Sequence, residues 1–121
     1  MSATTEIIES FRVSSSRVEA LYDEGLSKDE VYMLIAPRRT LQRRMKDGGQ
    51  LSLEESDRVH RIERILTHAD RVFGDKQKAR RWLRTRNRAL EGAVPVDLLA
   101  SETGAREVEQ LIGRVEYGMF S

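Results

Sequence analysis

The chain contains no cysteine. Disulfides, thiolate zinc sites and a cysteine nucleophile are therefore excluded, and the composition fits a reducing compartment. Aromatic residues are scarce, with three Phe, three Tyr and one Trp in 121 residues, so a core must be built from Leu, Val and Ile. No apolar run approaches the roughly 20 residues that span a bilayer. The opening MSATTEIIESF lacks a basic stretch followed by an apolar one, so no signal peptide is expected. These absences predict a cytoplasmic protein without a membrane partner. Catalytic signals are missing as well. No glycine-rich phosphate loop occurs, and Gly48-Gly49 reads as a helix terminator. His60 and His68 stand eight apart with no third ligand at metal spacing. No catalytic residue, metal or cofactor is expected, and the chain does not read as an enzyme.

Net charge is also nearly absent, at +1 from 21 basic and 20 acidic residues. The balance conceals segregation. Residues 1–36, 47–70 and 91–121 carry −4, −3 and −4, whereas residues 37–46 carry +5 and residues 71–90 carry +7. Basic islands attract polyanions through their local field whatever the overall charge.

The pattern of the chain predicts an all-α fold. Ser27 and Glu30 have capping-box spacing, followed by Val31, Leu34 and Ile35 at helical intervals. A helix upstream carries Val18, Leu21 and Tyr22 and stops at Gly25. Residues 2–12 read as a short helix or a loose arm. Pro37 ends one helix and starts the next, over residues 38–47. There, Arg39, Gln42, Arg43 and Lys46 form one polar arc, Arg44 lies on the other flank, and Leu41 and Met45 form a narrow stripe expected to be buried. Ser52 and Glu55 make a second capping box, which explains that acid, and open a long helix over residues 53–73. A basic helix at 75–84 bears Trp82, expected in the core. Short and long helices follow at 95–100 and 103–117, the latter with Gly113 expected to pack closely on a neighbour. The one strand-like segment, AVPVDLL, is spoiled by its proline.

The helices at 27–36 and 38–47 are separated by almost nothing, which reads as a helix-turn-helix-like pair. In a DNA-reading version the second helix enters the major groove. Arg38, Arg39, Thr40, Gln42, Arg43, Arg44 and Lys46 are then the candidate DNA-binding residues, with arginine and lysine suited to guanine edges or phosphates and Gln42 to adenine. The plainer alternative is a solvated basic face on an ordinary helical hairpin. The 71–90 island reads as a phosphate-contacting flank, as a docking surface for an acidic partner, or more plainly as a solvated helix with Trp82 in the core. Tyr117, Met119 and Phe120 make an unusually apolar chain end, which docks on its own domain or reaches into a partner.

The downstream half resembles a known family. The marks are Glu55-Ser56-Asp57-Arg58, Ala69, Phe73-Gly74, Ala79, Trp82-Leu83, Asn87-Arg88-Ala89-Leu90, Gly92, Pro95, Leu98-Leu99, Gly104-Ala105-Arg106, Val108-Glu109, Gly113-Arg114 and Tyr117-Gly118. Together they are similar to the Xre/MbcA/ParS antitoxins that accompany RES-domain toxins in type II toxin–antitoxin systems. The upstream stretch GLSKDEVYMLIAPRRTLQRRMKDGGQLS is similar to that family's helix-turn-helix-like region. Arg86 stands where the family usually has proline, so that loop is expected to be less rigid, and the N-terminal arm is short for the family.

The resemblance implies a small all-α protein with a helix-turn-helix-like DNA-binding region at 1–50 and a helical toxin-binding and dimerisation region at 51–121. It implies an antitoxin that neutralises a RES toxin, dimerises and represses its own operon at operator DNA. RES toxins consume NAD, so that chemistry belongs to the partner and no cofactor is implied here. Arg84, Arg86, Asn87 and Arg88, together with Tyr117, Met119 and Phe120, are the implied toxin-binding residues. The long helix and the last helix are the expected contributors to a homodimer. Two alternatives stay open: a stand-alone transcription regulator, and an antitoxin that sequesters toxin without binding DNA.

Overall fold

A computed structural model gives the fold, and it describes residues 2–118. Among these, eight α-helices are present: α1 (Ala3–Ser10), α2 (Ser16–Asp23), α3 (Lys28–Leu34), α4 (Arg38–Lys46), α5 (Leu53–Phe73), α6 (Lys76–Leu83), α7 (Pro95–Leu98) and α8 (Glu102–Glu116). A 3-10 turn at Arg88–Leu90 joins α6 to α7. Extended pairing among the described residues is limited to the isolated bridges Ser14–Gln50 and Asn87–Ala93. The all-α class holds. No helix among the described residues is long and apolar enough to cross a membrane.

The chain forms two compact units, Met1–His60 and Arg61–Ser121, whose division falls inside α5. In the first unit Val18, Leu21, Val31, Leu34, Ile35 and Leu41 are buried, drawn from α2, α3 with its C-cap Ile35, and α4. Ser27 caps α3 with a complete capping box, its hydroxyl accepting from Glu30 N and its own N–H donating to Glu30 Oε1. That satisfies two of the donors a helix start leaves over. The turn after α4 needs Gly48 and Gly49, with φ of +108° and +77°, where a side chain would be strained.

The first turns of α5 hold the rest of this unit in place. Ser56 Oγ donates to Ser52 O (2.7 Å) and accepts from Val13 N (2.9 Å). Arg58 Nη1 donates to the carbonyl of Ile35, the residue that closes α3 (3.0 Å). By contrast α1 buries none of its residues, and its Ile7, Ile8 and the adjoining Phe11 are exposed. The helix alternative for residues 2–12 is the one that forms.

In the second unit α5 and α8 run in the same direction, joined by a row of arginine–glutamate ion pairs and one histidine–glutamate contact. Arg61 meets Glu102 (2.9 Å), Arg64 meets Glu109 (3.0 Å), and His68 and Arg71 share Glu116 (3.3 and 3.2 Å). Beneath the row lie Ile62, Ile65, Leu66 and Ala69 of α5 and Ala105, Val108, Leu111 and Ile112 of α8, all buried. These side chains fill the interior of the second unit, so a contact between two copies through α5 or α8 has to use their other faces. Short α7 packs on both α6 and α8.

Two expectations about packing need correction. Met45 is not part of a buried stripe; it is 55% exposed, and Leu41 alone is buried on α4. The helix wheel treats α4 as indefinitely long, whereas Met45 stands one residue from its end. Gly113 is not a close-packing glycine, because a Cβ built there meets nothing within 4 Å. The close approach is at Gly104, where a Cβ would overlap the Leu98 carbonyl. Gly104→Ala is therefore expected to destabilise the protein by about 1–3 kcal/mol, as overpacking does. Gly113→Ala should be neutral or stabilising by up to about 1 kcal/mol through helix propensity. Thermal melts of the two variants followed by circular dichroism check the contrast.

Candidate functional site

Two surfaces collect the residues singled out in the sequence, one in each unit. In the first, Ile35, Ala36 and Pro37 separate α3 from α4, and Pro37 caps α4 with φ −58°. Proline at this point removes a donor that the helix start could not satisfy anyway. The corner is pinned on one side by Arg58, as described, and on the other by Arg44. The Arg44 guanidinium lies across Glu55 in a bidentate pair, Nε to Oε1 at 3.0 Å and Nη2 to Oε2 at 3.1 Å. Glu55 Oε1 also accepts from Ser52 N (2.8 Å), and Ser52 Oγ accepts from Glu55 N (3.1 Å). Glu55 is buried and Arg44 half-buried. Burial pushes the Glu55 carboxyl up, but hydrogen bonds from Arg44 and Ser52 outweigh it and hold the group below the usual carboxylate range. The same contact raises the Arg44 pKa further.

This arrangement separates the sequence candidates on α4. Arg38, Arg39, Gln42, Arg43 and Lys46 are exposed, and Thr40 is half-buried. Arg44 is turned to Glu55. The outward surface of the helix is therefore a cluster of four cations and one amide with no acid among them, able to meet phosphates or base edges. Glu55 is more than a capping residue. Its second role joins positions eleven apart, which helix periodicity does not reveal.

The second surface lies around the 3-10 turn. Asn87 organises this loop: its Oδ1 accepts from Ala89 N (2.9 Å) and its N–H donates to Ala93 O (2.9 Å). The turn closes on Glu91, a non-glycine residue at φ 56°. Above it opens a cleft of about 600 Å³ lined by Phe73, Trp82, Asn87, Arg88, Ala89, Leu111 and Val115. Trp82 is not a core residue as expected. It is half-buried, and its ring leans on Phe73 with centroids 5.2 Å apart and planes at 36°.

Arg84, Arg86 and Arg88 are exposed, as is Tyr117 at 81%. Met119 and Phe120 lie outside the described residues. Not all of the basic island faces outward. Arg80 is buried and makes a bidentate pair with Asp70 (2.9 and 3.2 Å); Arg71, which is exposed, joins Glu116. The sequence reading missed both pairs. The row between α5 and α8 had a signal available, since Arg61, Arg64, His68 and Arg71 recur at three- and four-residue steps and Glu102, Glu109 and Glu116 recur every seven.

Residues 68–118 match the family described as the antitoxin Xre/MbcA/ParS C-terminal toxin-binding domain. Relatives include proteins named antitoxin Xre from Yersinia enterocolitica, 45% identical over 86 residues, and Photorhabdus laumondii, 39% identical over 84 residues. A third, from Pseudomonas putida, is 34% identical over 84 residues. The alignments cover 69–70% of this chain and 53–58% of the relatives, so the chain spans little more than half their length. Every residue lining the Trp82 cleft falls inside the matched segment.

Proposed function

Because this chain is Xre/MbcA/ParS-like, we propose that it acts as the antitoxin of a type II system, binding and neutralising a RES-domain, NAD-consuming toxin in the cytoplasm. The observation that carries the reading is the match of residues 68–118 to a toxin-binding domain. That segment also holds the apolar cleft and the exposed Arg84, Arg86 and Arg88. The protein works by occupying its partner rather than by chemistry of its own, and needs no cofactor. Residues 51–121 supply toxin binding and dimerisation, with Tyr117, Met119 and Phe120 entering the toxin.

As a homodimer the protein also represses its own operon through residues 1–50. The exposed cations of α4 support this part of the reading, since two-fold-related helices are the usual means of reading an operator. Repression of an unrelated gene by a stand-alone regulator would use the same surface but would need no toxin.

The deciding experiment asks whether the reading frame beside this one encodes a RES-domain protein and co-expresses that neighbour with this chain. The untagged neighbour is expected to copurify and its toxicity to be suppressed. No copurification and no protection would sink the proposal. A variant lacking residues 117–121 is expected to stay folded by circular dichroism, dimeric by light scattering and competent for promoter DNA, yet to lose protection of cells. Full protection by the truncated chain would remove the chain end from the mechanism. Loss of helicity would show instead that the end packs on its own domain.

A further inference from the structure

We infer that the cleft walled by Phe73, Trp82, Ala89, Leu111 and Val115 is an anchor pocket for an apolar or aromatic side chain on an acidic segment of the partner toxin. The inference rests on the antitoxin reading and adds a second contact point to the chain end. Three observations carry it. The first is that five of the seven lining residues are apolar, and the sole tryptophan of the chain is among them, only half-buried. A large indole left partly uncovered beside a phenyl ring is the kind of surface that gains most from being covered by a partner. The cleft's volume of about 600 Å³ gives room for a large side chain and part of its neighbours.

The second observation is charge. The helix and loop that supply Trp82, Asn87 and Arg88 also carry exposed Arg81, Arg84 and Arg86, and residues 81–90 contain no acid. A positive surround favours an acidic segment and rejects a basic one, acting mainly on the rate of encounter. The third is continuity, since the whole lining lies in the segment matched to a toxin-binding domain. One competing occupant has the required chemistry. The chain's own α1 is acidic through Glu6 and Glu9 and exposes Ile7, Ile8 and Phe11, so a second copy has to be distinguished from the toxin.

The test uses the full chain and a purified RES-domain protein. Ala89→Trp places bulk in the cleft from an exposed position, and Arg88→Glu reverses charge at its lining. Ala89→Trp is expected to weaken toxin binding by about tenfold or more, the effect of losing a central anchor. Its helicity, melting temperature and mass in light scattering should be those of wild type. Arg88→Glu, which alters an exposed side chain, is expected to slow association and flatten its salt dependence. Wild-type binding constants for both variants overturn the inference. So does a change in oligomeric mass with toxin binding intact, which would assign the cleft to a second copy. If the wild-type chain itself fails to bind the RES protein, the antitoxin reading falls and the pocket's assignment falls with it. Wild-type binding with unaffected variants sinks the pocket alone.

Discussion

Replacing Arg39, Arg43 and Lys46 together with alanine is expected to abolish binding to the promoter of the chain's own operon while leaving the protein folded. All three side chains are exposed on α4, and none takes part in the contacts that hold the α3–α4 corner. Alanine is the best helix former, so the substitution does not weaken the helix itself. The loss should show in the salt dependence before it is complete. Each phosphate contact removed lowers the slope of log affinity against log salt by about one, so single variants should give shallower lines than wild type. Met45→Ala makes a suitable control because Met45 is more than half exposed. A gel shift in which the triple variant binds as wild type would remove α4 from the DNA-binding assignment.

The second large effect concerns the pair beneath that helix. Glu55→Ala is expected to cost about 3 kcal/mol, near the lower end of what breaking a buried ion pair costs, because Arg44 keeps partial access to water. Part of the loss comes from the capping box, which the same carboxylate completes. The stability should also depend on pH. A group whose folded pKa lies below its unfolded value adds stability above the unfolded pKa and loses it as pH falls through the folded one. Glu55 is such a group, so its contribution is full at neutral pH and lost on acidification below the ordinary carboxylate range, about pH 4. Glu55→Gln should remove that part of the acid sensitivity. Denaturant melts between neutral pH and pH 3 would read it, and an unchanged pH profile in Glu55→Gln would count against the pair. A double-mutant cycle with Arg44→Ala measures the coupling itself.

Local structure is legible in this sequence, and tertiary pairing is not. The two capping boxes, Ser27 with Glu30 and Ser52 with Glu55, form as their spacing predicts, and α5 spans Leu53–Phe73 as expected. These depend on residues within one turn of each other. The exposure of Arg39, Gln42, Arg43 and Lys46 followed from helical geometry for the same reason. The misses share a cause of the opposite kind. Arg44 with Glu55 and Arg80 with Asp70 pair across ten or eleven residues, and a helix wheel contains no information about a side chain's distant partner. Gly113 and Gly104 sit in the same helix, and only the path of Leu98 decides which of them is crowded. Residue type places Trp82 in the interior, yet it is only half-buried and lines the cleft.

The row of polar contacts between α5 and α8 limits how this part of the chain can change over generations. Arg61, Arg64, His68 and Arg71 meet Glu102, Glu109 and Glu116 in order. Any one of these exposed pairs is worth little in energy, so single substitutions along the row are tolerable. An inserted or deleted residue is another matter. One residue turns everything beyond it by about 100° around the helix, which carries every later glutamate out of reach and rotates Val108, Leu111 and Ile112 off the core. Sequence drift in α8 is therefore open to spelling and closed to length, and variation in length has to be absorbed by the loops on either side.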